Sequence, residues 1–162
     1  MRIQFLPPIL ILLILFSFVQ FYLPSIVINK ILIVPDIFLV LITYISIRYD
    51  RDITMVFAFL CGFLQDFITQ IELIGLLSFT KTITGFLLGN IKYFKFLWTK
   101  DIKLIFIFCV YLLHFSVFYY VYFNLVDVSF KTFFQIILFQ ASISFIVLFI
   151  IDKFVFDNKL IT

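Results

Sequence analysis

Six long apolar runs, at about residues 5–23, 31–47, 53–71, 73–91, 102–123 and 130–151, follow one another with only short polar breaks between them. A helix needs about 20 apolar residues to cross the hydrocarbon core of a bilayer, so runs of this length and number use nearly all of the chain. Composition agrees: 65% of the 162 residues are hydrophobic and 13% charged, whereas a soluble domain carries about a quarter charged residues to cover its surface. The pattern predicts an all-α, polytopic membrane protein whose six transmembrane helices form one bundle and one domain, residues 1–162. It leaves no segment for a soluble catalytic domain.

Punctuation within the runs refines this expectation. Pro7 and Pro8 open the first run, where a first helical turn tolerates missing N–H groups, and Pro24 closes it. The second run is the short one, and Val34-Pro35-Asp36 at its start suggests a tilted, bent or partly re-entrant approach. Pro35 and Asp36 suit a turn and N-cap for the second helix. Met1-Arg2 ahead of an apolar stretch resembles a secretory signal, but the run is too long for one and lacks a small-x-small cleavage site, so it is expected to stay as the first helix. The chain holds 26 Phe but two Ala, Ala58 and Ala141. That imbalance reads as compositional drift toward large apolar residues rather than as an aromatic motif. Cys61 and Cys109 lie in separate runs without a second Cys or His at ligand spacing, and are expected to be buried small hydrophobes.

Basic residues set the expected orientation. Alternating six spans puts Arg2, Arg48, Arg51, Lys92, Lys95, Lys100, Lys103, Lys153 and Lys159 on one side, nine cations, against Lys30 and Lys131 on the other. Short cytoplasmic loops are enriched in Lys and Arg, so both termini are expected in the cytoplasm. The loop between the fourth and fifth spans, where Trp98 sits among four lysines, is the main cytoplasmic anchor. It suits anionic lipid headgroups and not nucleic acid, because one short loop offers no folded basic surface.

The remaining basic residue, Lys81, lies inside the fourth run, as Asp66 does inside the third. At about 1.5 Å per residue, Asp66 is roughly 20 Å from the cytoplasmic start of its helix and Lys81 roughly 12 Å from the outer start of its own, which brings them to similar depth. Ionisable groups there cost a few kcal/mol and usually turn to the bundle interior, a partner or water. Small residues accompany both: Ala58, Gly62 and Asp66 recur every fourth residue, and so do Lys81, Gly85 and Gly89, the last two forming GxxxG. The expectation is a tight hairpin, turning near Glu72, with a buried Asp66–Lys81 pair. The alternatives are a snorkelling Lys81, a protonated Asp66 or an accidental GxxxG.

Three stretches together carry a resemblance: Pro35-Asp36 followed by Ile-Phe-Leu-Val-Leu; Gly62-Phe63-Leu64-Gln65-Asp66; and Gly75-Leu76-Leu77-Ser78-Phe79-Thr80-Lys81 continuing to Gly85 and Gly89. They resemble the rod shape-determining protein MreD family, which has a PD at its second helix, G-F-x-x-G-L-x-x-D in the third and G-L-x-A-L-x-K-x-x-x-G-x-x-x-G in the fourth. The likeness covers about residues 31–95; the flanking helices match in length and topology. Cys61-Gly62 keeps one glycine where the family often has two, and Ser78 or Phe79 replaces the usual alanine. The resemblance implies a non-enzymatic scaffold in the bacterial cytoplasmic (inner) membrane. Such a protein acts in rod cell shape and lateral peptidoglycan synthesis, as a partner of MreC alongside MreB, RodA and a penicillin-binding transpeptidase. It also implies a membrane fold similar to the S-components of vitamin transporters, without transferring a ligand. Through the family, Pro35 and Asp36 become a possible partner-facing turn.

Read for chemistry, the residues point the same way. His114 has no carboxylate within its own span and is expected to be a satisfied helix-facing histidine. No nucleophile–base pair, glycine-rich phosphate loop or working carboxylate pair is present, so neither catalytic residues nor a cofactor or metal site is expected. Glu72 and Asp127 lie in short outer loops with solvated or capping roles. The rival function class is a small-solute binding or transport component in which Asp66 and Lys81 line a cavity. The sparse polar residues of the spans favour the scaffold.

Overall fold

The computed structural model describes residues 13, 15–20, 22, 23, 26–28, 31–69, 73–94, 99–123 and 129–154. Among these, a first helix α1 includes residues 15–20. A two-stranded antiparallel hairpin follows, β1 (Ile26–Ile28) and β2 (Ile31–Ile33), with Ile28 paired to Ile31 and Ile26 to Ile33. Five helices complete the chain: α2 (Ile37–Arg48), α3 (Arg51–Thr69), α4 (Leu76–Tyr93), α5 (Lys100–Phe123) and α6 (Phe130–Phe154). The expectations placed on Pro7, Pro8, Pro24, Glu72, Lys95, Trp98 and Asp127 lie outside the described residues. Among the described residues, α3, α5 and α6 are each long and apolar enough to cross a membrane.

The second helix is shorter than the apolar run 31–47 and starts at the N-cap expected of Asp36. Residues 31–33 are a strand, and helix begins only at Ile37. Two local effects set that boundary: a residue before proline is pushed out of the α region, which stops helix at Val34, and the Asp36 side chain accepts the Leu39 N–H as an N-cap. The β-branched runs Ile26-Val27-Ile28 and Ile31-Leu32-Ile33 pair with each other instead. At 12 residues α2 is about 18 Å long, too short to cross a bilayer alone. It is nonetheless the centre of the bundle, packed against α3, α4 and α6, and Phe38 through Ile42 are buried on every side.

Helices α3 and α4 form the closest pair. They run antiparallel from a turn at Leu73-Ile74-Gly75, where Gly75 takes a left-handed φ of 100° that side chains resist. A Cβ added at Gly62 would lie 2.5 Å from Leu77 O and Ser78 Cα; one at Gly85 would lie 2.6 Å from the Ala58 Cβ, and one at Gly89 2.8 Å from the Arg51 Cα. The two small-residue stripes thus face each other, and only hydrogen at these positions allows the backbones to meet. Lys92 of α4 pairs with Asp50 beside the start of α3 at 2.7 Å and ties the open end of the hairpin.

Of the two cysteines, Cys61 is buried as expected, but Cys109 is exposed. It falls on the outward face of α5, away from the packed positions Ile107, Val110 and Tyr111. Both thiols are free. Large apolar side chains such as Phe59, Phe63 and Phe67 also point outward along α3, the arrangement lipid rather than water would accept.

Candidate functional site

The break Val34-Pro35-Asp36 leaves backbone groups without helical partners in the middle of an apolar bundle, where each would cost several kcal/mol if unsatisfied. Side chains from α1 and α6 answer most of them. Gln20 of α1 donates its amide to Pro35 O at 3.0 Å and accepts the Ile37 N–H at 2.8 Å. Gln140 of α6 donates to Val34 O at 3.1 Å, and Ser144 of α6 accepts the Asp36 N–H at 3.2 Å. Gln140 is held in turn by the Tyr119 hydroxyl of α5. The break is therefore built into the packing.

At its end stands Asp36, with one carboxylate oxygen capping α2 and the other in a buried ion pair with the Lys81 ammonium of α4. The His114 ring of α5 faces the same oxygen, its Nε2 4.0 Å away. Its Nδ1 is 3.0 Å from the Thr84 hydroxyl of α4. None of Asp36, Lys81 and His114 is more than 2% exposed. The Phe38 ring centroid lies 5.5 Å from the Lys81 nitrogen and adds a cation–π contact. A second link, Thr43 to Tyr111 at 2.9 Å, joins α2 to α5. The node draws together α1, α2, α4, α5 and α6, segments up to 108 residues apart in sequence.

The expected Asp66–Lys81 pair is not the one formed. Asp66 instead caps α4 from the neighbouring helix, accepting N–H groups from Gly75 (3.1 Å), Leu77 (3.0 Å) and Ser78 (2.9 Å) and the Ser78 hydroxyl (2.6 Å). The reason is level and charge. Asp66 sits opposite the first turn of α4, whose N–H groups lack intrahelical acceptors and whose dipole is positive at that end. Lys81 lies a turn further along, facing the break before α2. The tight approach is nevertheless present, with Ala58 and Gly62 set against Gly85 and Ser78. The position noted for lacking the family's alanine, Ser78, supplies one of the four donors to Asp66.

Pro35 and Asp36 are buried, and the turn they make points into the bundle. His114 is likewise not solitary: its carboxylate neighbour comes from α2, not from its own span. Gln20, Thr84, Gln140 and Ser144 join the node without having been singled out in the sequence. One signal marks these four and His114, a polar side chain within an apolar run, which in a membrane helix turns toward the protein interior. Among the described residues no group of three or more His, Cys, Asp or Glu is placed to hold a metal ion. No family model, curated protein or solved structure matches the chain.

Proposed function

We propose that this chain is a non-enzymatic membrane scaffold of the MreD type, with six spans and both termini in the cytoplasm. On this reading it sits in the bacterial cytoplasmic membrane and holds together the machinery of lateral wall synthesis, with MreC as its direct partner and MreB, RodA and a penicillin-binding transpeptidase in the same assembly. The observation that carries the reading is where the motif residues are spent. Asp36, Asp66 and Lys81, the charged positions of the resemblance, are all consumed by internal partners: Asp36 and Lys81 by each other, Asp66 by the first turn of α4. Residues used this way fix helix positions, as a scaffold needs; a solute site would leave polar groups turned to an open volume. The asymmetry of nine cations against two supports the orientation.

The test is co-purification. Cells expressing both proteins are extracted in mild detergent, this chain is captured, and the bound proteins are identified. MreC in the eluate at a fixed ratio is the expected result. Its consistent absence, with the chain folded, removes the main support for the reading.

A further inference from the structure

Among the described residues, His114 carries the one buried ring nitrogen that the packing leaves unmatched. The Thr84 hydroxyl lies 2.8 Å from Thr80 O and 3.0 Å from the His114 Nδ1; with its single proton directed to the carbonyl, it accepts from Nδ1. In that arrangement Nδ1 bears the proton of the neutral ring, and Nε2 is bare. Bare Nε2 has no hydrogen-bond partner and faces the Asp36 carboxylate oxygen at 4.0 Å, acceptor against acceptor. A proton on Nε2 would turn this opposition into an attraction. What prevents it is that Lys81 already supplies the one positive charge that balances Asp36; a second cation would leave the buried node with a net charge.

The other groups around the node do not alter this balance. From α3 the Cys61 thiol and from α5 the Tyr111 phenol lie within electrostatic reach of Asp36, and both are weak acids, Tyr111 being hydrogen-bonded to Thr43. From α1 and α6 the facing groups are the neutral Gln20, Gln140 and Ser144. From α4 they are Lys81, Thr84 and the Thr80 backbone.

We propose that His114 Nε2 is a proton-binding site and the second counter-ion of Asp36, so that a single proton, on Lys81 Nζ or on His114 Nε2, keeps the node neutral. The balance is simple. Where the Lys81 ammonium is removed, a proton taken up on Nε2 restores the same total charge, and the new N–H faces the carboxylate oxygen 4.0 Å away. This does not depend on the MreD reading.

The chain contains one histidine, so selective ¹⁵N-histidine labelling of the full-length protein in lipid nanodiscs reads His114 without assignment, provided the purification tag contains no histidine. At about pH 6, below the unperturbed histidine value of about 6.5, the unmodified chain should show a neutral ring with Nδ1 protonated and Nε2 bare. The Lys81→Met variant should show both nitrogens protonated, and the Asp36→Asn/Lys81→Met variant should return to the neutral ring. Three results overturn the proposal: a neutral ring in folded Lys81→Met, a proton on Nε2 alone in the unmodified chain, or an imidazolium in the double variant. If Lys81→Met is unfolded at about pH 8, lowering the pH to about 6 should restore folding, because a charged His114 replaces the missing ammonium. Failure of that restoration, in Lys81→Met and in Lys81→Gln alike, also counts against it.

Discussion

The choice of Asp36 rather than Asp66 as the partner of Lys81 can be weighed by a double-mutant cycle. Asp36→Asn keeps the size of the side chain and an oxygen for the Leu39 N–H, and Lys81→Met keeps an unbranched apolar stem, so each change removes little but charge. Each single variant strands the other charge among residues at most a few per cent exposed. Removing one partner of such a pair costs about 3–5 kcal/mol in buried soluble sites, and somewhat less in lipid, where the unfolded reference also finds partners. The double variant leaves no orphan charge and loses about 1–2 kcal/mol of hydrogen bonding. The coupling energy, the sum of the two single losses less the loss in the double variant, is then about 4–8 kcal/mol. Unfolding by denaturing detergent, followed by tryptophan fluorescence or a trapped-state assay, measures it. Working at about pH 8.5 keeps the histidine neutral in the reference state. The matching cycle for Asp66→Asn with Lys81→Met should give coupling within about 0.5 kcal/mol, since the two residues share no hydrogen-bond partner. Coupling below about 0.5 kcal/mol for Asp36 with Lys81, or a larger value for Asp66 with Lys81, would refute the assignment.

Other expectations follow from the hairpin and the topology. Gly62→Ala should destabilise by about 1–3 kcal/mol, because its methyl group would sit 2.5 Å from backbone atoms of α4 that have nowhere to move; unchanged stability would mean that α3 and α4 stand further apart. Gly75→Ala meets no atom and loses only about 1–2 kcal/mol through its left-handed backbone, so the same detergent titration separates a packing cost from a conformational one. Ser78→Ala removes a 2.6 Å donor from Asp66 while three backbone donors remain, and should cost about 1–2 kcal/mol; a loss equal to that of Asp66→Leu would show that the N-terminal cap contributes nothing beyond the hydroxyl. A reporter active only in the cytoplasm should work when fused after Lys100 or at Thr162 and fail near Glu72; activity near Glu72 would remove the six-span arrangement.

Much of this protein was legible in the order of its residues. Helices α3 to α6 lie within a few residues of the apolar runs that announce them, because apolar length is a property of the local chain and the demand that backbone polar groups bond internally makes such runs helical. The four-residue spacing of Ala58 and Gly62 and of Gly85 and Gly89 likewise defines a face on each helix, and the close approach at those faces follows from the absence of side-chain bulk. The start of α2 shows where local reasoning stops short: Pro35 and Asp36 mark a helix boundary in sequence, yet the apolar residues before them suit strand or helix equally, and only their pairing with each other made a hairpin. The charged partners lay further out of reach. Spacing states which face of a helix a residue occupies but not which neighbour that face meets, or at what level. That depends on how α2, at the centre of the bundle, is positioned by Gln20, Gln140 and Ser144. Once that position is set, the positive end of α4 takes Asp66, and the break before α2 presents Asp36 to Lys81 and His114, a convergence of three helices that no single run of sequence contains.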